Sequence, residues 1–94
     1  MFDVIVTRHH GLVQYLIKKG LATPETAVVI HANAAVVRDK HVCGILPHSL
    51  SCLTKSFTQI PLAIPLDKRG RELTMEEIEQ YAGKPITYIV YKDK

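Results

Sequence analysis

The sequence predicts an α/β fold with a mostly parallel sheet flanked by helices. Two observations carry this expectation. Short runs of apolar, β-branched residues recur along the chain, as in Val4-Ile5-Val6 and Ala27-Val28-Val29-Ile30, and runs with helical spacing lie between them. Strands that are apolar throughout need cover on both faces, and helices between successive strands supply it. At 94 residues the chain makes one domain, residues 1–94.

Phe2 to Val6 reads as the first strand, ending at Thr7. Gly11 to Lys19 reads as a helix, with Leu12, Val13, Leu16 and Ile17 on one face and Gln14, Lys18 and Lys19 outward. Gly20 stops it. Ala27 to Ile30 is the second strand and ends at His31. Residues 33–38 hold one helical turn capped by Asn33. Val42 to Leu46 is the third strand, followed by Pro47, a residue suited to a first helical turn. Leu50, Leu53 and Phe57 sit at helical spacing, which predicts a helix over Ser49 to Phe57. Ile60 to Leu66 reads as a fourth strand. Its prolines at 61 and 65 make it an edge or irregular one. Thr74 with Glu77 three residues on is a capping box, and Gly83 and Pro85 end that helix. Ile86 to Tyr91 is the last strand.

In parallel α/β sheets, ligands bind outside the carboxyl ends of the strands. The unusual polar residues of this chain fall after the expected strands. Thr7-Arg8-His9-His10-Gly11 follows the first, and His31 and Asn33 follow the second. Gly44 lies late in the third, with Pro47 and His48 beyond it. Asp67-Lys68-Arg69-Gly70-Arg71-Glu72 follows the fourth. All of these candidates therefore converge on one sheet edge. An arginine and two histidines at a strand-to-helix junction suit phosphodiester chemistry. The first helical N–H groups lack partners, arginine forks to phosphate oxygens, and histidine moves protons near neutral pH. Arg69 and Arg71 read as a phosphate clamp, with Gly70 admitting close approach and Glu72 orienting an arginine.

Composition limits the alternatives. A net charge of +3 suits a small anionic ligand and is too weak to indicate a long duplex nucleic acid. Residues 1–55 carry six Lys/Arg against three Asp/Glu, and all five histidines lie between His9 and His48. Cys43 and Cys52 do not have metal-binding spacing and read as two buried, reduced thiols. No signal peptide and no run of transmembrane length are visible, so the expected location is the cytoplasm, away from membranes. No HxxxH or HExxH spacing occurs, so no metal or other cofactor is expected. A domain this small gains from a partner chain, which makes a homodimer a reasonable expectation. Arg8-His9 is also similar to the RHG of histidine phosphatases. Here a second histidine intervenes, and nothing after His48 supplies the late catalytic histidine those longer enzymes need.

Four stretches taken together point further. Thr7-Arg8-His9-His10-Gly11, His31, Gly44-Ile45-Leu46-Pro47 and Arg69-Gly70-Arg71-Glu72-Leu73-Thr74 resemble a small CRISPR-associated protein of type III systems. That family is the short, single-domain Csx-type group, the sixteenth in its series. The resemblance implies a Rossmann-like domain of the CRISPR-associated sensor type that works as a homodimer. It implies cyclic tetra-adenylate as ligand and ring-nuclease activity that switches off type III signalling. On chemical grounds the expected catalytic residues are Arg8, His9 and His10. The expected ligand contacts are Thr7, Gly11, His31, Asn33, Gly44, Pro47, Arg69, Gly70, Arg71 and Glu72. The expected reaction needs no metal, since a ribose 2′-hydroxyl attacks the neighbouring phosphodiester. The alternatives are a non-catalytic module that sequesters or senses the messenger, a metal-dependent phosphoesterase, and a structural partner of a larger complex.

Overall fold

The computed structural model describes residues 2–93. Five strands form one sheet: β1 (Val4–Val6), β2 (Ala27–Val29), β3 (His41–Gly44), β4 (Ser56–Gln59) and β5 (Ile86–Tyr88). Their spatial order is β2-β1-β3-β4-β5. The first four are parallel, and β5 runs antiparallel to β4. The helices are α1 (His10–Lys18), α2 (Ala34–Val37), α3 (His48–Ser51) and α4 (Met75–Tyr81). This is a small Rossmann-like α/β domain.

Side-chain alternation divides the core into two layers. Ile5 and Cys43 are paired in register and face α1 and α4, where they join Leu12, Leu16, Leu73 and Ile78. Val4, Val6 and Val42 take the opposite face with Val37, covered by Val36, Leu50 and Leu53 around α2 and α3. Helix α1 buries the predicted face of Leu12, Val13 and Leu16, and Tyr15 with it, while Gln14, Lys18 and Lys19 stay exposed.

Three expectations fail. The predicted helix over Ser49 to Phe57 is one short helix followed by a strand. The Ser51 hydroxyl donates to the His48 carbonyl at 3.4 Å, and that of Thr54 donates to the Ser51 carbonyl at 2.7 Å. Such local bonds compete with helix propagation. Ser56 to Gln59 then finds partners on both sides, in β3 and β5, and buries Ser56, Phe57 and Thr58. The predicted fourth strand at Ile60 to Leu66 is absent. Pro61 and Pro65 lack the N–H a ladder requires. That segment keeps only an isolated Leu62–Ala82 bridge and ends in a 3₁₀ turn at Leu66–Lys68. Finally, β2 is an edge strand rather than a buried one, with Val28 45% exposed.

Chain order jumps from β2 across β1 to β3, so the topology reverses between β1 and β3. A crevice opens at such a reversal, outside the carboxyl ends of the strands. Gly44 marks this point. It pairs with Val6 at a φ of 137°, and a Cβ there would press within 3.0 Å of the Val6 backbone.

The cysteines differ, against the expectation of two buried thiols. Cys43 lies in the core and is free, and burial pushes its thiol up to about 12. Cys52 follows α3 and is half-buried. Since the thiolate is the reactive form, a thiol reagent at pH 8 should modify Cys52 alone in the native protein. Modification of Cys43 should wait for denaturant, which a mass-resolved labelling time course reads directly. No helix among the described residues is long and apolar enough to cross a membrane.

Candidate active site

Thr7 leaves the sheet with its N–H donating to the Val29 carbonyl, and its hydroxyl oxygen accepts the His9 N–H at 3.0 Å. That bond bends the chain from β1 into α1 and turns Arg8 outward. The loop preceding α4 comes down beside this turn. Arg8, His9, Gly70, Arg71 and Glu72 line a cleft of about 330 Å³. His10 and Gly11 adjoin it through a shallower hollow shared with Glu72, Leu73 and Thr74.

Two bonds between residues far apart in sequence clamp the loops together. The Leu73 N–H donates to His9 Nδ1 at 3.2 Å, and the His10 N–H donates to Glu72 Oε1 at 3.2 Å. The first bond sets the tautomer of the His9 ring, because an accepting Nδ1 leaves the ring proton on Nε2. His9 therefore offers a donor to the cleft. The second places a carboxylate at the N-terminus of α1, the position where sequence reasoning placed a ligand phosphate. Gly11 has a packing role. A Cβ there would crowd the backbone of Leu73 and Thr74, so its lack of a side chain lets α1 approach α4.

The cations of the cleft are held differently from one another. Among the described residues no carboxylate pairs with the exposed Arg8 guanidinium. Arg71 pairs with Glu77, and among the described residues no arginine pairs with Glu72, which the sequence expected to orient one. Glu77 also accepts the Thr74 N–H at 3.1 Å and Lys68 Nζ at 3.3 Å. The Thr74 backbone bond, then Lys68 and Arg71, hold its carboxyl below the usual 4.5. The support from Glu77 is therefore fully present above pH 4.5 and is lost as pH falls through the lower folded value. Melting curves should show the wild-type midpoint dropping as pH falls below 4.5, and Glu77→Gln should lose less over the same range.

The other predicted site residues lie elsewhere. Asn33 caps α2 by accepting the Val36 N–H at 3.0 Å. His31 is exposed beyond β2, and Pro47 precedes α3 as its cap residue. Arg69 donates its Nε–H to the Ile64 carbonyl at 3.3 Å. Gly44 and His48 belong to a separate cavity on the other face of the sheet. Leu73, whose N–H sets the His9 tautomer, has no sequence signal beyond its place in an apolar position. Among the described residues, no three His, Cys, Asp or Glu side chains gather in a metal-binding group.

Residues 4–91 match the model of a family described as "Putative CRISPR-associated protein (Cas_VVA1548)". The chain belongs to this CRISPR-associated family. The match takes in every residue lining the cleft. No curated protein and no solved structure matches the chain significantly.

Proposed function

We propose that this CRISPR-associated protein is a ring nuclease that binds cyclic tetra-adenylate and opens it without a metal. The observation that carries the reading is the cleft itself. It brings together Arg8, with no carboxylate partner among the described residues, the Nε2–H of His9 and the guanidinium of Arg71. Each of these groups favours a phosphodiester. In this reaction a ribose 2′-oxygen attacks the adjacent phosphorus and the bond to the 5′-oxygen breaks. The 2′-hydroxyl proton passes to a base, and the leaving oxygen takes up a proton. The products are a 2′,3′-cyclic phosphate and a 5′-hydroxyl.

Arg8 stabilises the charge that builds on the non-bridging oxygens. His9, with its proton on Nε2, donates a hydrogen bond to a phosphate or leaving oxygen. His10 has a ring free of hydrogen bonds among the described residues, and it takes the 2′-hydroxyl proton. Glu72 yields the α1 N–H groups to the phosphate. The working unit is a homodimer whose two-fold axis coincides with that of the four-nucleotide ring.

A non-catalytic sponge or sensor is the second reading. It is favoured by the same His9–Leu73 bond, which leaves that ring as a donor and suits plain binding. Single-turnover cleavage by the wild type distinguishes the two, and His9→Ala and His10→Ala then assign the proton carriers. Catalysis predicts a loss of about 100-fold or more in His10→Ala. Full rates in both variants would remove histidine from the chemistry.

A further inference from the structure

A second cavity, of about 370 Å³, opens at the carboxyl ends of β3 and β4 on the face covered by α3. Phe57, Tyr88 and Ile45 give it apolar walls, and Gln59 and His48 bring polar groups. Tyr88 is 42% exposed and Ile45 81%. Among the described residues the Gln59 carboxamide, the His48 ring and the Tyr88 hydroxyl make no hydrogen bond, so all three are available to a ligand. The sequence reading left Gln59 and Tyr88 without any role.

The chemistry of this cavity matches a purine. A carboxamide presents a donor and an acceptor side by side, which pairs with N7 and the N6 amino group of adenine. An aromatic ring beside it offers a stacking surface, the usual way to hold an unpaired base. The location matches as well. Ile45 donates its N–H to the Val6 carbonyl at 3.4 Å, and Arg8 lies two residues beyond Val6. Strand β4 is two strand spacings from β1, about 10 Å. The cavity and the Arg8 cleft therefore lie at the same carboxyl edge of the sheet, one on each face.

We infer that this cavity is an adenine subsite, with Gln59 reading N6 and N7 and Tyr88 stacking on the base. This rests on the cyclic tetra-adenylate reading and names the residues that would make it adenine-specific.

The test is an NMR titration of the full-length ¹⁵N-labelled protein with AMP, UMP and inorganic phosphate. AMP should shift the Gln59 side-chain amide and the Tyr88 resonance and bind about tenfold tighter than UMP. Phosphate should shift only Arg8, His9 and Gly70 to Glu72. Gln59→Leu, at an exposed position, should keep its melting temperature and lose the preference for AMP. Equal affinity for AMP and UMP, or a preference that survives Gln59→Leu, would overturn the subsite. So would Gln59 and Tyr88 resonances that move on dilution alone, which would mean a second copy of the chain covers the cavity. An adenine preference lost in Gln59→Leu, with no ring opening by the wild type, keeps the subsite and removes the nuclease reading. Ring opening with an unchanged preference in the variant does the reverse.

Discussion

Arg8→Ala should lower the rate of cyclic tetra-adenylate opening by about 100- to 1,000-fold. That is the scale of losing one preorganised group that stabilises transition-state charge. The loss should be larger in the chemical step than in binding, because the charge on the non-bridging oxygens grows as the 2′-oxygen attacks. Stability should barely change. Arg8 is exposed and, among the described residues, unpaired. Such surface substitutions stay within about 0.5 kcal/mol, or roughly 2–4 °C in a domain of this size. Single-turnover rates with a melting curve on the same preparation check both halves. An unchanged rate would remove Arg8 from the site.

Gly44→Ala should have the largest effect on the fold. The residue sits at a φ of 137°, where side chains are strained, and its Cβ would meet the backbone of Val6 in the adjoining strand. Backbone cannot rotate away as a side chain tip can, so the β1–β3 pair must separate where the crevice opens. Strain and overpacking together should cost about 3 kcal/mol or more, lowering the melting midpoint by at least about 12 °C. Gly70→Ala is the control. Gly70 also has a positive φ, but a Cβ there meets nothing within 4 Å. Its cost should be that of the backbone alone, about 1 kcal/mol. Equal midpoints for the two variants would show that the contact with Val6 does not matter.

Periodicity revealed the parallel strands β1 and β3 and the helices α1 and α4, because each buries a face whose pattern is local, and the apolar run of β2 marked it as a strand though it lies at the sheet edge. The capping box at Thr74 and Glu77 was legible for the same reason, and both of its bonds form. Strand β4 was hidden because Leu50, Leu53 and Phe57 happen to keep helical spacing. What makes Ser56 to Gln59 a strand is pairing with β3 and β5, a long-range fact. The prolines at 61 and 65 pointed only to an edge or irregular strand, yet the lost N–H groups prevent a ladder altogether and leave one isolated bridge.

At the candidate site, the strand-end rule placed Arg8 and His9 just after β1, and both line the cleft there. It could not show that Glu72 bonds the His10 N–H, or that Glu77 rather than Glu72 holds Arg71. Those pairings depend on how the loop before α4 folds down. Asn33 caps α2 as its place before that turn predicts, with its oxygen accepting the Val36 N–H. Gln59 drew no notice because β4 was hidden behind helical spacing, and Tyr88 because it read only as part of the last strand.

Catalysis at the Arg8 cleft is the central proposal for this protein. The decisive measurement incubates labelled cyclic tetra-adenylate, in large excess over protein and with EDTA, and resolves the products by liquid chromatography and mass. The expected result is linear di- or tetra-adenylate ending in a 2′,3′-cyclic phosphate, formed over many turnovers. Intact ring that co-elutes with the protein at one ligand per dimer would contradict it and leave a messenger-binding protein.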